Sequence, residues 1–170
     1  MKLLAEISED SLGLGSFKES GSDFTWRKSA RAILINEAGY MAVQYLQTYG
    51  FHKLPGGGVD DGESYESACL REIKEEVGCD ARIEQVVGAT IEYRNTEKRI
   101  QISHCFAATV EGELGTPHLE AGEIEEGQIT LWLKPEEALA KMRADIPKKF
   151  EGHFILKREI SFLEAYLDMK

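Results

Sequence analysis

Apolar positions come in short alternating blocks along the first half of the chain and shift to a helical period in three places. That change of rhythm sets the expected elements. Residues 2–7 predict a short first strand, and residues 8–23, rich in Ser, Gly, Asp and Glu, predict an irregular lead-in. "FTWRKSARAILI" (24–35) reads as a strand. The turn "NEAG" follows, and "YMAVQYL" (40–46) reads as its hairpin partner, with Gly39 supplying the turn. Ser64 is an N-cap candidate for a helix from about Tyr65 to Val77, which Gly78 would end as a C′ glycine. Extended segments at 81–93 and 99–110 flank the polar turn "RNTEK", residues 111–127 read as a polar acidic loop, and "QITLWL" (128–133) reads as another strand. A helix over 135–143 opens near Pro135. A last helix, 151–168, is expected to bury Phe154, Ile155, Phe162, Leu163, Tyr166 and Leu167 along one side.

Strands dominate the front and middle with helices interspersed, so the class is α+β or α/β with a mixed sheet. No repeat, low-complexity tract or linker interrupts the 170 residues, so one domain is expected. The organisation reads as an N-terminal extension with the first strand over 1–23 and the main domain over 24–170.

Composition narrows the function classes. Thirty acidic residues against 20 basic ones give a net charge of −10, which argues against a protein that grips a nucleic-acid backbone. A small phosphorylated substrate stays open, because a divalent cation can mediate between carboxylates and phosphate. Cys69, Cys79 and Cys105 are too few and too scattered for a disulfide framework and include no C-x-x-C pair. The opening "MKLLAEISED" lacks a signal-peptide apolar core, and the longest aliphatic run, "AILI" (32–35), is far from a membrane span. These observations predict a cytoplasmic protein in a reducing compartment, with no membrane partner.

The helix at 65–77 raises a question of charge. Glu72, Glu75 and Glu76 sit at i, i+3 and i+4, where like charges destabilise a helix by roughly 0.2–0.5 kcal/mol per pair. At 100° per residue Glu66, Leu70, Ile73 and Val77 cluster on one side for packing, and the three glutamates fall on nearly the opposite side. Alone, that arrangement reads as a solvated acidic face. Its surroundings say otherwise: "LPGGGVDDGES" upstream supplies glycines that let backbone approach a ligand closely. The stretch from Gly57 to Cys79 fits G-x5-E-x7-R-E-U-x-E-E-x-G-U, where U is a bulky aliphatic. The eight matches at Gly57, Glu63, Arg71, Glu72, Ile73, Glu75, Glu76 and Gly78 have a chance probability on the order of 10⁻⁹ per starting point.

This pattern resembles the Nudix box of the Nudix hydrolase family, and the order of elements around it is also similar. Cys79 departs from the usual larger aliphatic, a change a buried thiol absorbs as a small hydrophobe. The resemblance implies an α/β/α sandwich around a mixed sheet and metal-dependent hydrolysis of a nucleoside diphosphate linked to another moiety, with a small-molecule nucleotide as partner. Clustered carboxylates suit Mg²⁺ or Mn²⁺. Glu72, Glu75 and Glu76 are the expected ligands, with the carbonyl of Gly56 a further one, and Glu72 is a candidate general base. Arg71 is expected to orient Glu72 or to pair with Glu63, itself an outer ligand or helper, and an ordinary intrahelical ion pair is the alternative.

A further carboxylate is expected from the loop at 120–126, where Glu120, Glu123, Glu125 and Glu126 are available and Glu126 is favoured by the resemblance. An exposed acidic loop is the plain alternative. Arg27, Arg31, Arg94 and Arg99 are candidate phosphate clamps. His52 and His104 are candidate phosphate contacts or proton donors. Tyr45, Tyr49, Phe51, Tyr93 and Phe106 could stack on a base. From this set Arg31, Phe51, His52, Tyr93 and Arg94 are the expected substrate contacts. The last helix and the N-terminal extension could form a homodimer contact. One other function stays open, a non-catalytic nucleotide-sensing module on the same fold; a pyrophosphate-isomerising relative is set aside, because it would call for a catalytic cysteine within a His-containing loop, whereas Cys69, Cys79 and Cys105 sit in a helix, at the end of the motif and in a strand.

Overall fold

Period-two blocks in the sequence become strands of a single sheet. The computed structural model describes residues 1–15 and 23–170, so the stretch of the expected lead-in at 16–22 lies outside the described residues. Its strands are β1 (Leu3–Ser8), β2 (Thr25–Ile35), β3 (Met41–Leu46), β4 (Phe51–Lys53), β5 (Asp80–Arg94), β6 (Arg99–Glu111) and β7 (Gln128–Leu133). They form a seven-stranded sheet in the order β1-β5-β6-β2-β3-β4, with β7 pairing with β3 off that path. β1 runs parallel to β5 and β2 parallel to β6, whereas β5 and β6 form a long antiparallel pair, so the sheet is mixed. The first strand therefore belongs to the same sheet as the rest.

Helices cover both faces. α1 (Tyr65–Glu76) packs on one side, where Ala68, Cys69, Ile73 and Val77 meet Ala30, Ala32, Leu34, Phe106 and Ala108. α3 (Pro135–Ala144) and α4 (Phe150–Asp168) cover the other, where Leu139, Met142, Phe162 and Leu163 join Ile33, Val43, Phe51 and Leu54. This is an α/β/α sandwich. Among the described residues no helix is long and apolar enough to cross a membrane, and all three cysteines are free and buried.

Three expectations need correction. The hairpin of β2 and β3 reduces to its turn, because the two strands pair only at Ile35 and Met41. Beyond that point the glycine-rich segment takes the β2 edge: the Ala30 N–H donates to Gly57 O (3.0 Å), Ala32 N–H to Pro55 O (2.9 Å) and Val59 N–H to Lys28 O (3.1 Å). β3 pairs instead with β7 and β4. The acidic loop contains a short helix, α2 (Ala121–Glu125), whose start is tied by the Glu120 N–H donating to Glu123 Oε2 at 2.7 Å.

On α1 the expected division of faces holds only in part: Ile73 and Val77 pack as expected, but other positions do not. Leu70 is 37% exposed, whereas Glu72 and Glu76 are buried. The helix is turned so that its small side chains Ala68 and Cys69 approach the sheet, which brings the two glutamates inward. On α4, Phe154, Phe162, Leu163 and Tyr166 are buried as expected, with Ile155 and Leu167 half-buried. That apolar side is used by the chain's own core.

Arg158 and Glu159, one turn further along α4 than Phe154, are completely buried. Arg158 donates to Glu159 Oε1 (2.6 Å) and to Glu92 Oε1 on β5 (2.8 Å), and Arg94 donates to Glu92 Oε2 (2.7 Å). Burial opposes the charge on Glu92, yet the neighbouring Arg158 and Arg94 hold its carboxyl below the ordinary carboxylate range. Breaking a buried pair on one side strands the other charge and costs about 3–5 kcal/mol. Arg158→Met is therefore expected to lower the melting temperature by roughly 10 °C for a chain of this length. Calorimetric unfolding measures it, and a shift within 2 °C would contradict the role given to this network.

Candidate metal centre

The centre is built where α1, the glycine loop and α2 meet. Gly56 takes φ +134°, and a Cβ there would collide with the Ala30 carbonyl. A Cβ at Gly57 would run into the Glu72 carboxylate. The two glycines are thus required for backbone to lie against both β2 and the helix.

Glu76 is 1% exposed and fully engaged. Its Oε2 accepts from Gly56 N–H (2.6 Å), and its Oε1 accepts from Lys53 Nζ (2.8 Å) and Gln128 Nε2 (3.0 Å). Burial would raise its pKa, but the Lys53 charge and these hydrogen bonds hold it below the ordinary range. The Glu76 carbonyl also accepts from Thr130 Oγ1 (3.2 Å).

Arg71 gathers the rest of the motif. Its guanidinium donates to Glu63 (3.1 Å to each oxygen), to Glu72 Oε1 (2.9 Å), to Glu75 Oε2 (3.0 Å) and to Gly58 O (2.9 Å). The hydrogen bond from Arg71 holds Glu63 below its usual range. Glu72 goes the other way: burial and the nearby Glu76 charge raise it, and Arg71 only partly offsets them. The like-charge problem on α1 is therefore eased unequally. Glu76 and Glu75 have cationic partners, and Glu72 shares one.

A third carboxylate comes from α2. Glu72, Glu76 and Glu123 each offer an oxygen within 4.8 Å of one another. Burial, with a hydrogen bond to Glu76 and the charge of Glu76, raises Glu123 to about 7. Two of the three converging carboxyls thus sit above their ordinary range, and the donor set is all oxygen. That combination fits a hard divalent cation.

The structure brings Glu123 into this group where the sequence favoured Glu126. Glu126 lines the same cleft but ion-pairs with Lys149 at 3.0 Å. Glu120 also lines it. Glu125 is exposed.

Beside the carboxylates opens a cleft of about 540 Å³ with a basic wall of Arg27, Arg31 and Lys53. Arg31 is 5% exposed. Its Nη1 donates to Ala30 O (2.8 Å) and Gly57 O (3.3 Å), and its Nε lies 3.3 Å from Glu159 Oε1. Arg27 donates to Gln101 Oε1 (3.1 Å), and burial together with Arg31 and other arginines lowers its pKa to about 10. Gly56 lines this cleft as well.

The other expected contacts are placed elsewhere. Phe51 is wholly in the core. The His52 ring is buried against Asp145, with Nδ1 2.9 Å from Oδ2. Arg94 is consumed by Glu92 and Glu97, Arg99 pairs with Glu97 (2.9 Å), and Tyr93 lies in a sheet row with Ser8 and Ile100. Phe106 is core, His104 stacks on Tyr65 at 3.6 Å, Tyr45 packs on His52, and Tyr49 lies under Lys149. Lys53 and Gln128 went unseen in the sequence. Nothing in the short "FHK" pattern marks one lysine as a partner of Glu76, and Glu120 is not one of the preferred N-cap residues, so the sequence carried no signal for the short helix that positions Glu123.

A family model described as NUDIX domain matches residues 25–153. An RNA pyrophosphohydrolase of Erythrobacter litoralis is 28% identical over 157 residues, covering 83% of this chain and 94% of that protein. One of a Wolbachia strain of Brugia malayi is 38% identical over 56 residues, 32% of this chain, and the match spans only 35% of that protein's length. A NUDIX hydrolase structure from Nitrosomonas europaea superposes with a TM-score of 0.64 at 18% identity, covering 86% of this chain and 91% of that one.

A cation that binds the folded chain alone at 100 times its Kd stabilises it by about 2.7 kcal/mol, which is roughly 5–10 °C for this length. Saturating Mg²⁺ is therefore expected to raise the melting temperature by that amount over protein in chelator. Glu123→Gln should remove most of the rise without lowering the chelated baseline. An unchanged rise in that variant would place the cation elsewhere.

Proposed function

The chain belongs to the NUDIX domain family, and from that premise we propose that it is a metal-dependent pyrophosphohydrolase, directing water onto a phosphorus of a nucleoside diphosphate linked to another moiety. One observation carries this reading: Glu72, Glu76 and Glu123 converge on a single point directly beside the basic wall of Arg27 and Arg31. A carboxylate floor under an arginine wall is what a phosphate ester with its cation requires.

Each residue has a task in that arrangement. Glu72, Glu76 and Glu123 would hold Mg²⁺ or Mn²⁺, with Glu75 and the Gly56 carbonyl available to a second ion or to ordered water. The bound cation would neutralise the diphosphate and lower the pKa of the attacking water. Glu72, raised toward neutrality by burial and by Glu76, is the group best suited to accept a proton from that water. Arg31, fixed by the Ala30 and Gly57 carbonyls and by Glu159, and Arg27 beside it bind the substrate phosphates. Arg71 orients Glu72 and Glu75, and Glu63 holds Arg71.

The relatives named RNA pyrophosphohydrolase bring a second substrate into consideration, the 5′-triphosphate end of an RNA. It presents the same anhydride chemistry. The net charge of −10 weighs against long contacts to a nucleic-acid backbone, so a nucleotide-sized substrate is preferred. The sensing-module alternative is disfavoured by the intact carboxylate set.

The test is a phosphate and pyrophosphate release assay over dNTPs, ADP-ribose, nucleotide sugars, dinucleoside polyphosphates and a 5′-triphosphorylated oligoribonucleotide, each with and without Mg²⁺. Turnover of at least one substrate is expected only with the cation. Glu72→Gln should reduce kcat about 10²–10⁴-fold with little change in KM. Tight nucleotide binding without turnover on any substrate would favour the sensing module.

A further inference from the structure

In the basic wall of the cleft, Lys53 is the residue whose charge already rests on the converging carboxylates. Arg27 donates to Gln101, and Arg31 donates to the Ala30 and Gly57 carbonyls. Lys53 Nζ instead donates to Glu76 Oε1 at 2.8 Å, and among the described residues it has no second hydrogen bond. Arg71 also reaches the group, through Glu72, but its guanidinium is pinned by Glu63 and by the Gly58 carbonyl. Lys53 has no such anchor, and its ammonium rides on a flexible four-carbon stem.

Glu76 cannot keep this partner unchanged and also take a divalent cation. A carboxylate offers about four lone-pair sites, and three are occupied: Oε1 accepts from Lys53 and Gln128, and Oε2 accepts from the Gly56 N–H. Glu76 is 1% exposed, so little water screens two positive charges placed on it together. Of the three donors, Lys53 is the charged one and the one able to leave. Gly56 donates from backbone, and Gln128 is buried on β7; both remain to hold the carboxylate. The ammonium also has a destination, because Lys53 lines the same cleft as Arg27 and Arg31.

We propose that Lys53 is a resident counter-charge that is handed from Glu76 to the substrate: it stands in for the divalent cation in the empty centre, and it turns to a phosphate of the substrate when the cation takes its place on Glu76. The inference rests on the pyrophosphohydrolase reading and adds to it a coupling between the two ligands. Lys53 opposes the cation when no phosphate is present and supports the phosphate once the cation is bound, so each ligand makes room for the other.

Binding measurements without turnover test this. The probes are Mn²⁺, followed by electron paramagnetic resonance of the free ion, and methylenediphosphonate, a diphosphate analogue that cannot be hydrolysed. Lys53→Met and Lys53→Gln should each bind Mn²⁺ alone about tenfold more tightly than the wild-type chain, and each should bind methylenediphosphonate about tenfold more weakly at saturating Mn²⁺. Lys53→Gln keeps a neutral donor for Glu76 and carries the test if Lys53→Met does not fold. A lysine with a merely structural role gives the opposite first result, a damaged centre that binds Mn²⁺ less well. Mn²⁺ affinity unchanged or lowered in the folded variants would overturn the proposal and leave the cation site standing, and diphosphonate affinity that ignores both changes would do the same. A wild-type chain that takes up no Mn²⁺, with or without the diphosphonate, would overturn the reading beneath it as well.

Discussion

Burial of the Glu76 carboxylate is the constraint around which the centre is organised. A carboxylate with 1% exposure is tolerated only with its oxygens occupied, and its partners come from three separate elements: Lys53 on β4, the Gly56 amide in the glycine loop and Gln128 on β7. One side chain at the end of α1 therefore fixes the helix to the loop and both to the sheet. The glycines serve this closure. A side chain at Gly56 or Gly57 would push the loop off β2 or off Glu72, and the amide that reaches Glu76 would move with it.

A second buried polar system lies across the sheet and meets the first at β2. Arg158, Glu159, Glu92 and Arg94 tie α4 to β5, and Arg31 touches Glu159 with Nε while its Nη1 holds the glycine-loop carbonyl of Gly57. Arg31 thus spans both networks. The period-two rule accounts for this position: Ser29 and Arg31 point to the α4 side of β2, while Ala30 and Ala32 point to α1. Small residues on one face let α1 come close, and polar residues on the other supply the wall of the cleft.

Much of this was legible from residue order, and the limits were physical. The strands, α1 with its Ser64 cap, and the motif from Gly57 to Cys79 followed from local pattern and spacing. The pairing of β3 with β7 rather than β2 did not, because strand partners are chosen by distant segments, here by the glycine loop occupying the β2 edge. The rotation of α1 was missed because hydrophobic periodicity counts a glutamate as outward, whereas Glu72 and Glu76 are drawn in by charged and amide partners far along the chain. Arg158 and Glu159 broke the same rule on α4: a buried ion pair looks like a solvated one in sequence. Arg94 and His52 read as ligand contacts because their types suit phosphate, but Glu92 and Asp145 had already engaged them.

The three converging carboxylates are not equally anchored, and that inequality bears on how the centre works. Glu76 is locked by three donors, and Glu72 is held by Arg71 on one oxygen. Glu123 stands on α2, a five-residue helix that buries none of its residues and whose C-terminal end is held by Thr48, which donates to the carbonyls of Glu125 (3.2 Å) and Glu126 (3.2 Å). The pKa of about 7 for Glu123 means that near neutrality the cluster can relieve its repulsion by keeping one proton on its least anchored member. A cation would displace that proton and bind α2 to the rigid pair beneath it. The acidic surplus that weakens α1 in isolation would then couple metal uptake to the ordering of the cleft's edge, with Glu76 as the fixed end and Glu123 as the end that adjusts.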